Sequence, residues 1–285
     1  MINRRDVMTG ATASFFTLLS TRMGWAGGVT FSDLLDLAEL NETELAQARG
    51  AEEWKELVAS GGIAAGISNG PLSKTPVSPD AVRMIVMFEV TSEKAYTMRY
   101  QRPVWPRGAS GVTFGIGYDI GYVQKQRLSD DWKDFIDDKQ IDYLSKACGV
   151  TGKPAKTLTR RLQDVSVPYA VAYKEFNELV LPRFVGVTEN ALLKDNTDRL
   201  SAASLGALVS LTYNRGPSFT IPEAKDPRGR YREMRNIRHH LFEKKPELIP
   251  AEIRSMKRIW EGNPDMAGLL VRRELEAKLF ESGLS

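Results

Sequence analysis

The chain predicts an α+β fold that is mainly helical, with one small β-hairpin sheet. Three observations carry this. Only one stretch, Val112-Thr113-Phe114-Gly115-Ile116, alternates apolar with polar or small residues at period 2, the pattern of a half-buried strand. Most other apolar residues recur at helical spacing. The 285 residues, 42% hydrophobic and 26% charged, suit a globular chain able to bury a sizeable core. No second run of strong alternation appears, which leaves one small sheet in a mainly helical chain.

In chain order, Asn3-Arg4-Arg5-Asp6-Val7-Met8 puts paired arginines ahead of a mild apolar run, and Gly24-Trp25-Ala26 offers small residues for cleavage. Residues 1–26 therefore read as an export signal of the twin-arginine type. The run is too short and too rich in Thr and Ser to span a membrane. Residues 27–76 read as a helical extension and linker. Phe31, Leu34, Leu35, Leu37 and Leu40 lie near helical spacing, and the stretch from Gly61 to Ser78 is rich in Gly, Ser and Pro. Residues 77–285 form the main domain. Its first helix is expected from Pro79-Asp80, with Ala81, Ile85 and Phe88 on one face.

In the hairpin, Val112, Phe114 and Ile116 are expected on a buried face, with Thr113, Gly115, Gly117 and Asp119 on the other. Glycine inside a strand marks a bulge or a close approach. Ser129-Asp130-Asp131 reads as the cap of a helix carrying Trp132, Phe135 and Ile136. Further helices are expected over residues 155–162, 169–180, 200–213, 228–241, 250–260 and 266–281.

Composition excludes several functions. Cys148 is the only cysteine, so no intramolecular disulfide forms. His239 and His240 are sequence neighbours and point apart on a helix, a poor metal pair. With no other metal motif, neither a metal nor a cofactor is expected. The net charge is +3, and Arg4, Arg5 and Arg22 against Asp6 leave a mature chain near +1. That is little electrostatic footprint for nucleic acid. The basic run around Arg228, Arg230, Arg232, Arg235 and Arg238 is broken by Glu233 and carries Met234 and Ile237. It reads as a solvated helix face.

The chemistry centres on Glu89, which ends the apolar run Met84-Ile85-Val86-Met87-Phe88. An apolar wall disfavours the charged form of a carboxyl, which suits a proton donor. Four islands then occur in order: Glu89 with its apolar run; Ser110-Gly111-Val112-Thr113-Phe114-Gly115-Ile116-Gly117-Tyr118-Asp119; Ser210-Leu211-Thr212-Tyr213-Asn214-Arg215-Gly216; and Gly268-Leu269-Leu270-Val271-Arg272-Arg273-Glu274-Leu275-Glu276-Ala277-Lys278-Leu279-Phe280. Together these resemble the phage-type lysozymes and endolysins, a superfamily that also holds the pesticin-like bacteriocins.

The resemblance implies a lysozyme-like domain that cuts the β-1,4 link of peptidoglycan glycan strands. Glu89 would be the general acid. Thr113 matches the family threonine that positions water, Tyr118 sits where the family often has histidine, and Asn214 lies on a helix end behind the cleft. The terminal helix reads as amphipathic, with Leu269, Leu275 and Leu279 inward, and as diagnostic rather than catalytic.

One departure stands out. The family carries an aspartate shortly before the hairpin threonine, and this chain has only Glu93 between Glu89 and Thr113. Asp119 is then the candidate second carboxylate, sharing a strand face with Thr113. Two other readings stay open. Asp119 caps the turn before Gly121, or the enzyme is a single-glutamate lytic transglycosylase. Trp105, Tyr118 and Tyr122 are candidates to stack on sugars, with Asn214 completing the substrate set. The expected protein is an exported, monomeric peptidoglycan hydrolase, periplasmic or extracellular, with no nucleic-acid partner and no stable membrane insertion. The other classes are a catalytically silent peptidoglycan-binding protein on the same fold and a secreted toxin, for which residues 27–76 are too small a delivery domain.

Overall fold

The computed structural model describes residues 30–40, 70–263 and 266–284. The segment expected to be an export signal, and most of the expected extension and linker, lie outside the described residues. The fold is mainly helical α+β with one two-stranded antiparallel sheet. Helices α1 (Phe31–Glu39), α2 (Pro79–Val90) and α3 (Glu93–Arg99) precede β1 (Thr113–Phe114) and β2 (Tyr118–Asp119). Then come α4 (Lys125–Trp132), α5 (Asp138–Ser145), α6 (Gly152–Arg161), α7 (Tyr169–Glu175), α8 (Leu181–Leu192), α9 (Lys194–Thr197), α10 (Ala202–Arg215), α11 (Arg232–Phe242), α12 (Ile249–Ser255) and α13 (Ala267–Ser282).

Two hydrophobic cores organise these elements. One gathers Phe31, Leu35, Met84, Phe88, Leu208, Ile237, Ile253 and Leu275, from α1, α2 and α10 to α13. The other gathers Ile85, Val90, Phe114, Ile116, Trp132, Phe176, Phe184 and Val209, from the hairpin, α4 to α8 and the opposite faces of α2 and α10. Helices α2 and α10 therefore stand between the cores, apolar on both sides. In α2 the run Met84 to Phe88 feeds alternate cores, and Glu89 emerges where the two meet. Ser78 caps α2 by accepting from the Ala81 N–H, and Pro79 occupies the first turn, where its missing N–H costs nothing.

Several expectations change. Helix α1 packs Phe31, Leu34, Leu35 and Ala38 into the first core, so this part of the extension belongs to the domain. Thr30 and Asp33 form a reciprocal capping box at its start. Residues 70–78 are a docked strap rather than a loose linker. The Ser73 N–H donates to Pro182 O (3.0 Å), the Thr75 hydroxyl to Glu189 (2.5 Å) and the Ser78 N–H to Ala202 O (3.0 Å). Ser129-Asp130-Asp131 is the last turn of α4, not a cap, because Asp131 turns inward to Arg183. Phe135 and Ile136 follow in a turn, and Asp137 caps α5.

The helix expected over 169–180 runs on to Leu192, with a π-helical turn at Phe176–Val180 between α7 and α8. Pro182 explains the turn. Its ring clashes with the carbonyl four residues back in α-register, and the wider turn relieves that clash.

The hairpin is shorter than its alternation suggests. Phe114 pairs with Tyr118 and Thr113 with Asp119, leaving Gly115, Ile116 and Gly117 as the turn. The φ values of Gly115 and Gly117 are +58° and +74°, which L side chains rarely adopt. The period-2 pattern therefore stops at Phe114, although Ile116 is still buried.

Candidate functional site

Glu89 meets three elements at once. Its Oε1 accepts from Arg272 Nη1 of α13 at 3.0 Å. Its Oε2 faces the hairpin turn: a Cβ on Gly117 would lie 3.3 Å from it and 2.8 Å from the Tyr213 hydroxyl of α10. Glycine is required at 117 by both its conformation and this closeness. The Tyr213 hydroxyl donates to Ile116 O at 2.9 Å, tying the turn to α10 beside the carboxylate. Burial first, then the charge of Glu89, holds the Tyr213 hydroxyl well above its ordinary pKa, so it stays a neutral donor. The Glu89 side chain keeps 17% of its surface exposed, and no described residue hydrogen-bonds to Oε2.

Arg272 is the residue that sequence reasoning missed. The terminal helix is not amphipathic in use, because it lies at the centre of the molecule and has no solvent face over its middle turns. Leu269, Leu275 and Leu279 do face inward, but Arg272, Arg273, Glu274 and Glu276 are buried as well. Their charges are met internally. Arg272 Nε reaches Glu276 (3.2 Å), its Nη2 donates to Ser210 O (3.1 Å), and its guanidinium lies over the Phe88 ring at 5.1 Å. Arg273 Nη2 donates to Glu276 (2.9 Å) and to the Asn214 side-chain Oδ1 (3.0 Å). The Ser210 hydroxyl donates to Glu276 at 2.7 Å. The signal that could have found Arg272 is the run Arg-Arg-Glu-Leu-Glu inside an otherwise apolar helix. Four charges spread around one helix need internal partners if that helix is buried.

The backbone after Glu89 is also unusual. Thr91 is buried at φ 70°, ψ −68°, a rare conformation for a β-branched residue, and the Ser92 N–H closes a tight turn onto Val90 O (2.9 Å). The helix carrying Glu89 is thus stopped abruptly two residues later.

The other expected site residues divide. Thr113 lies on β1 opposite Asp119, and its Oγ1 is buried with no hydrogen-bond partner among the described residues. The Asp119 carboxylate is already occupied. It accepts from the Gly111 N–H at 3.1 and 3.0 Å and from the Gly121 N–H at 2.8 Å. Gly111 and Gly121 must both be glycine, since a Cβ on either would lie 2.5 Å or less from the other's Cα. Burial raises the Asp119 pKa to about 6, against the lowering effect of the Gly121 and Gly111 amides. Asp119 is therefore a tie at the base of the hairpin, the turn role weighed from the sequence.

Tyr118 is a core residue and not a free stacking face. It is 7% exposed, packs edge-on against Trp132 at 5.5 Å and donates to Asp131 at 2.7 Å. Tyr122 donates to Ala109 O at 2.6 Å and Trp105 Nε1 to Ser110 O at 3.0 Å, and both side chains are half-buried. Lys156 covers one face of the Trp105 ring at 5.7 Å. Asn214 is held by Arg273 and belongs to the support behind Glu89. Glu93 opens α3 as an exposed residue.

A second buried polar cluster lies behind the hairpin. Asp131 receives both Arg183 Nη atoms, at 2.8 and 3.0 Å, besides Tyr118. Glu175 is 1% exposed beside it. Burial, and after it the charge of Asp131, raises its pKa well above the ordinary carboxylate range, while Arg183 acts the other way.

Among the described residues no cluster of His, Cys, Asp and Glu could hold a metal, and no helix is long and apolar enough to cross a membrane. Comparison of the chain with protein-family models and with curated proteins finds no match.

Proposed function

We propose that the protein cleaves the β-1,4 links of peptidoglycan glycan strands, with Glu89 as the general acid. The observation that carries this reading is the setting of Glu89. It is a partly exposed carboxylate at the junction of two cores, with one oxygen held by a buried arginine and the other turned toward a glycine hairpin turn. A glycosidase needs an acid fixed in direction yet reachable by the leaving-group oxygen. Arg272 fixes the direction, and the absence of a side chain on Gly117 leaves the approach open. Arg272 is itself fixed by Glu276, Ser210 and the Phe88 ring, so the acid rests on a rigid support.

The water-positioning role that the resemblance gives Thr113 does not fit its Oγ1, which is buried. One observation favours a second reading, the lytic transglycosylase that works with a single glutamate. The Asp119 carboxylate is committed to backbone amides, so the chain offers no free partner carboxylate on the hairpin. Export by the twin-arginine signal is part of the proposal and rests on residues 1–26.

Incubation of the purified mature chain with purified sacculi, with mass analysis of the products, tests this. Wild type releases muropeptides with reducing ends if it hydrolyses, or with 1,6-anhydro rings if it transglycosylates. Glu89→Gln loses about 10²–10⁴-fold of either activity while its circular dichroism and thermal midpoint stay near wild type. Near-native turnover in Glu89→Gln would refute the assignment.

A further inference from the structure

We propose that residues 102–111 and helix α6 form a cationic ridge that holds the carboxylates of the peptidoglycan strand beside the hairpin. This rests on the glycan-strand reading above and adds how the polymer is recognised. The two segments are some fifty residues apart in sequence, and each is free of acids. The loop carries Arg102 and Arg107; the helix carries Lys153, Lys156, Arg160 and Arg161. All six side chains are exposed, and none makes an ion pair with a described residue. In a chain whose 39 basic residues are matched by 36 acidic ones, six unneutralised cations on two adjoining segments are a local excess.

The fold lays the segments side by side in opposite directions. At one end the Gly152 N–H donates to Ser110 O at 2.9 Å, and Gly111 bridges to Thr151. At the other end Gln163 Nε2 donates to Pro103 O at 2.9 Å, and Arg102 donates to Gln163 O. Midway, Lys156 stands over the Trp105 ring. Lys153, Lys156 and Arg160 recur at helical spacing on one face of α6, so they line up along the loop rather than pointing apart.

The ridge is placed for a long substrate. Val104 pairs with Thr113 of β1 through both backbone hydrogen bonds (2.8 Å each). From Thr113 to the Gly117 turn beside Glu89 is four residues, at most about 13 Å of extended chain. The ridge therefore flanks the candidate site without touching the reacting groups. Muramyl lactyl and stem-peptide carboxylates repeat along a glycan strand, and a row of cations meets a row of carboxylates by many weak contacts. Each exposed pair contributes little, but several on one chain add through effective concentration. Such attraction is screened by salt.

The test is co-sedimentation of the full mature chain with sacculi stripped of covalently attached polymers. The same sacculi after amidation of their carboxyls, and a neutral chito-oligosaccharide as cleavage substrate, complete it. Lys153→Gln/Lys156→Gln/Arg160→Gln should bind native sacculi about tenfold or more weakly and lose most of the salt dependence. Its cleavage of the chito-oligosaccharide should equal wild type. Wild type should bind amidated sacculi as weakly as the triple variant binds native ones. Equal binding by the triple variant, or undiminished binding of wild type to amidated sacculi, would overturn the ridge. So would duplex DNA displacing wild type from sacculi at concentrations below those of a soluble polyglutamate. If wild type binds in this carboxylate-dependent way yet cleaves neither substrate, the ridge stands and the catalytic reading falls.

Discussion

Two of the carboxylate–guanidinium pairs among the described residues, Asp131–Arg183 and Glu89–Arg272, differ in how much of the carboxylate is left over. Asp131 is 4% exposed, and its two oxygens take both Arg183 Nη atoms and the Tyr118 hydroxyl. Glu89 is 17% exposed, has one oxygen on Arg272 and turns the other toward Gly117. Saturation makes the first pair an anchor for the hairpin. The unspent oxygen of the second makes it the candidate for chemistry. By the same measure Asp119 belongs with Asp131, since its oxygens are shared between two backbone amides.

The largest effect that would break this comparison is on Asp131. Asp131→Asn leaves the Arg183 charge buried without its partner and should destabilise the fold by about 3–5 kcal/mol, read as a lower urea midpoint. Turnover per folded molecule should fall far less than in Glu89→Gln. If instead Asp131→Asn abolishes turnover in a protein that is still folded, the anchor is part of the machinery and the distinction collapses.

Asp119 sharpens the comparison through pH. Its folded pKa of about 6 lies above the ordinary 3.8. The folded state therefore holds the proton more tightly than the unfolded state. The stability this contributes is fully present below pH 3.8 and is lost as pH rises through about 6, by about 3 kcal/mol at most. Asp119→Asn should remove that decline between about pH 4 and pH 7 in denaturant titrations compared pH by pH. An unaltered slope would show that the carboxyl is not protonated in the folded protein.

A further pH-linked effect is expected at Glu175. With its pKa raised, the stability it contributes is present at low pH and lost as pH rises. Glu175→Gln mimics the protonated acid. It should match wild type near about pH 4 and have the higher thermal midpoint near about pH 8. A lower midpoint at the alkaline end would mean that the charged form is the one the cluster needs.

Much of this was legible in the sequence where local chemistry decides. The mainly helical fold with one hairpin followed from the single alternating run. The start of α2 followed from Ser78-Pro79, because a cap and a first-turn proline act within one turn. The glycines of the hairpin marked a close approach, and Gly117 makes one with Tyr213 and Glu89. Three local readings missed, two of them because a distant partner outweighed the local signal. Ser129-Asp130-Asp131 has the composition of a cap, but Asp131 is drawn inward by Arg183, 52 residues away. Tyr118 was a candidate to stack on sugars, and the second core covers it. The alternation through Ile116 looked like a longer strand than the turn allows.

By itself, then, the sequence determined the helical segments, the hairpin and the apolar run that carries Glu89, since each depends on residues within a turn or two of one another. Only the tertiary structure decided which carboxylate keeps an oxygen to spare. It joined Glu89 to Arg272, 183 residues later, and two acid-free segments into one ridge. Ion pairing and burial depend on which surfaces meet in space, and no periodicity along the chain records that.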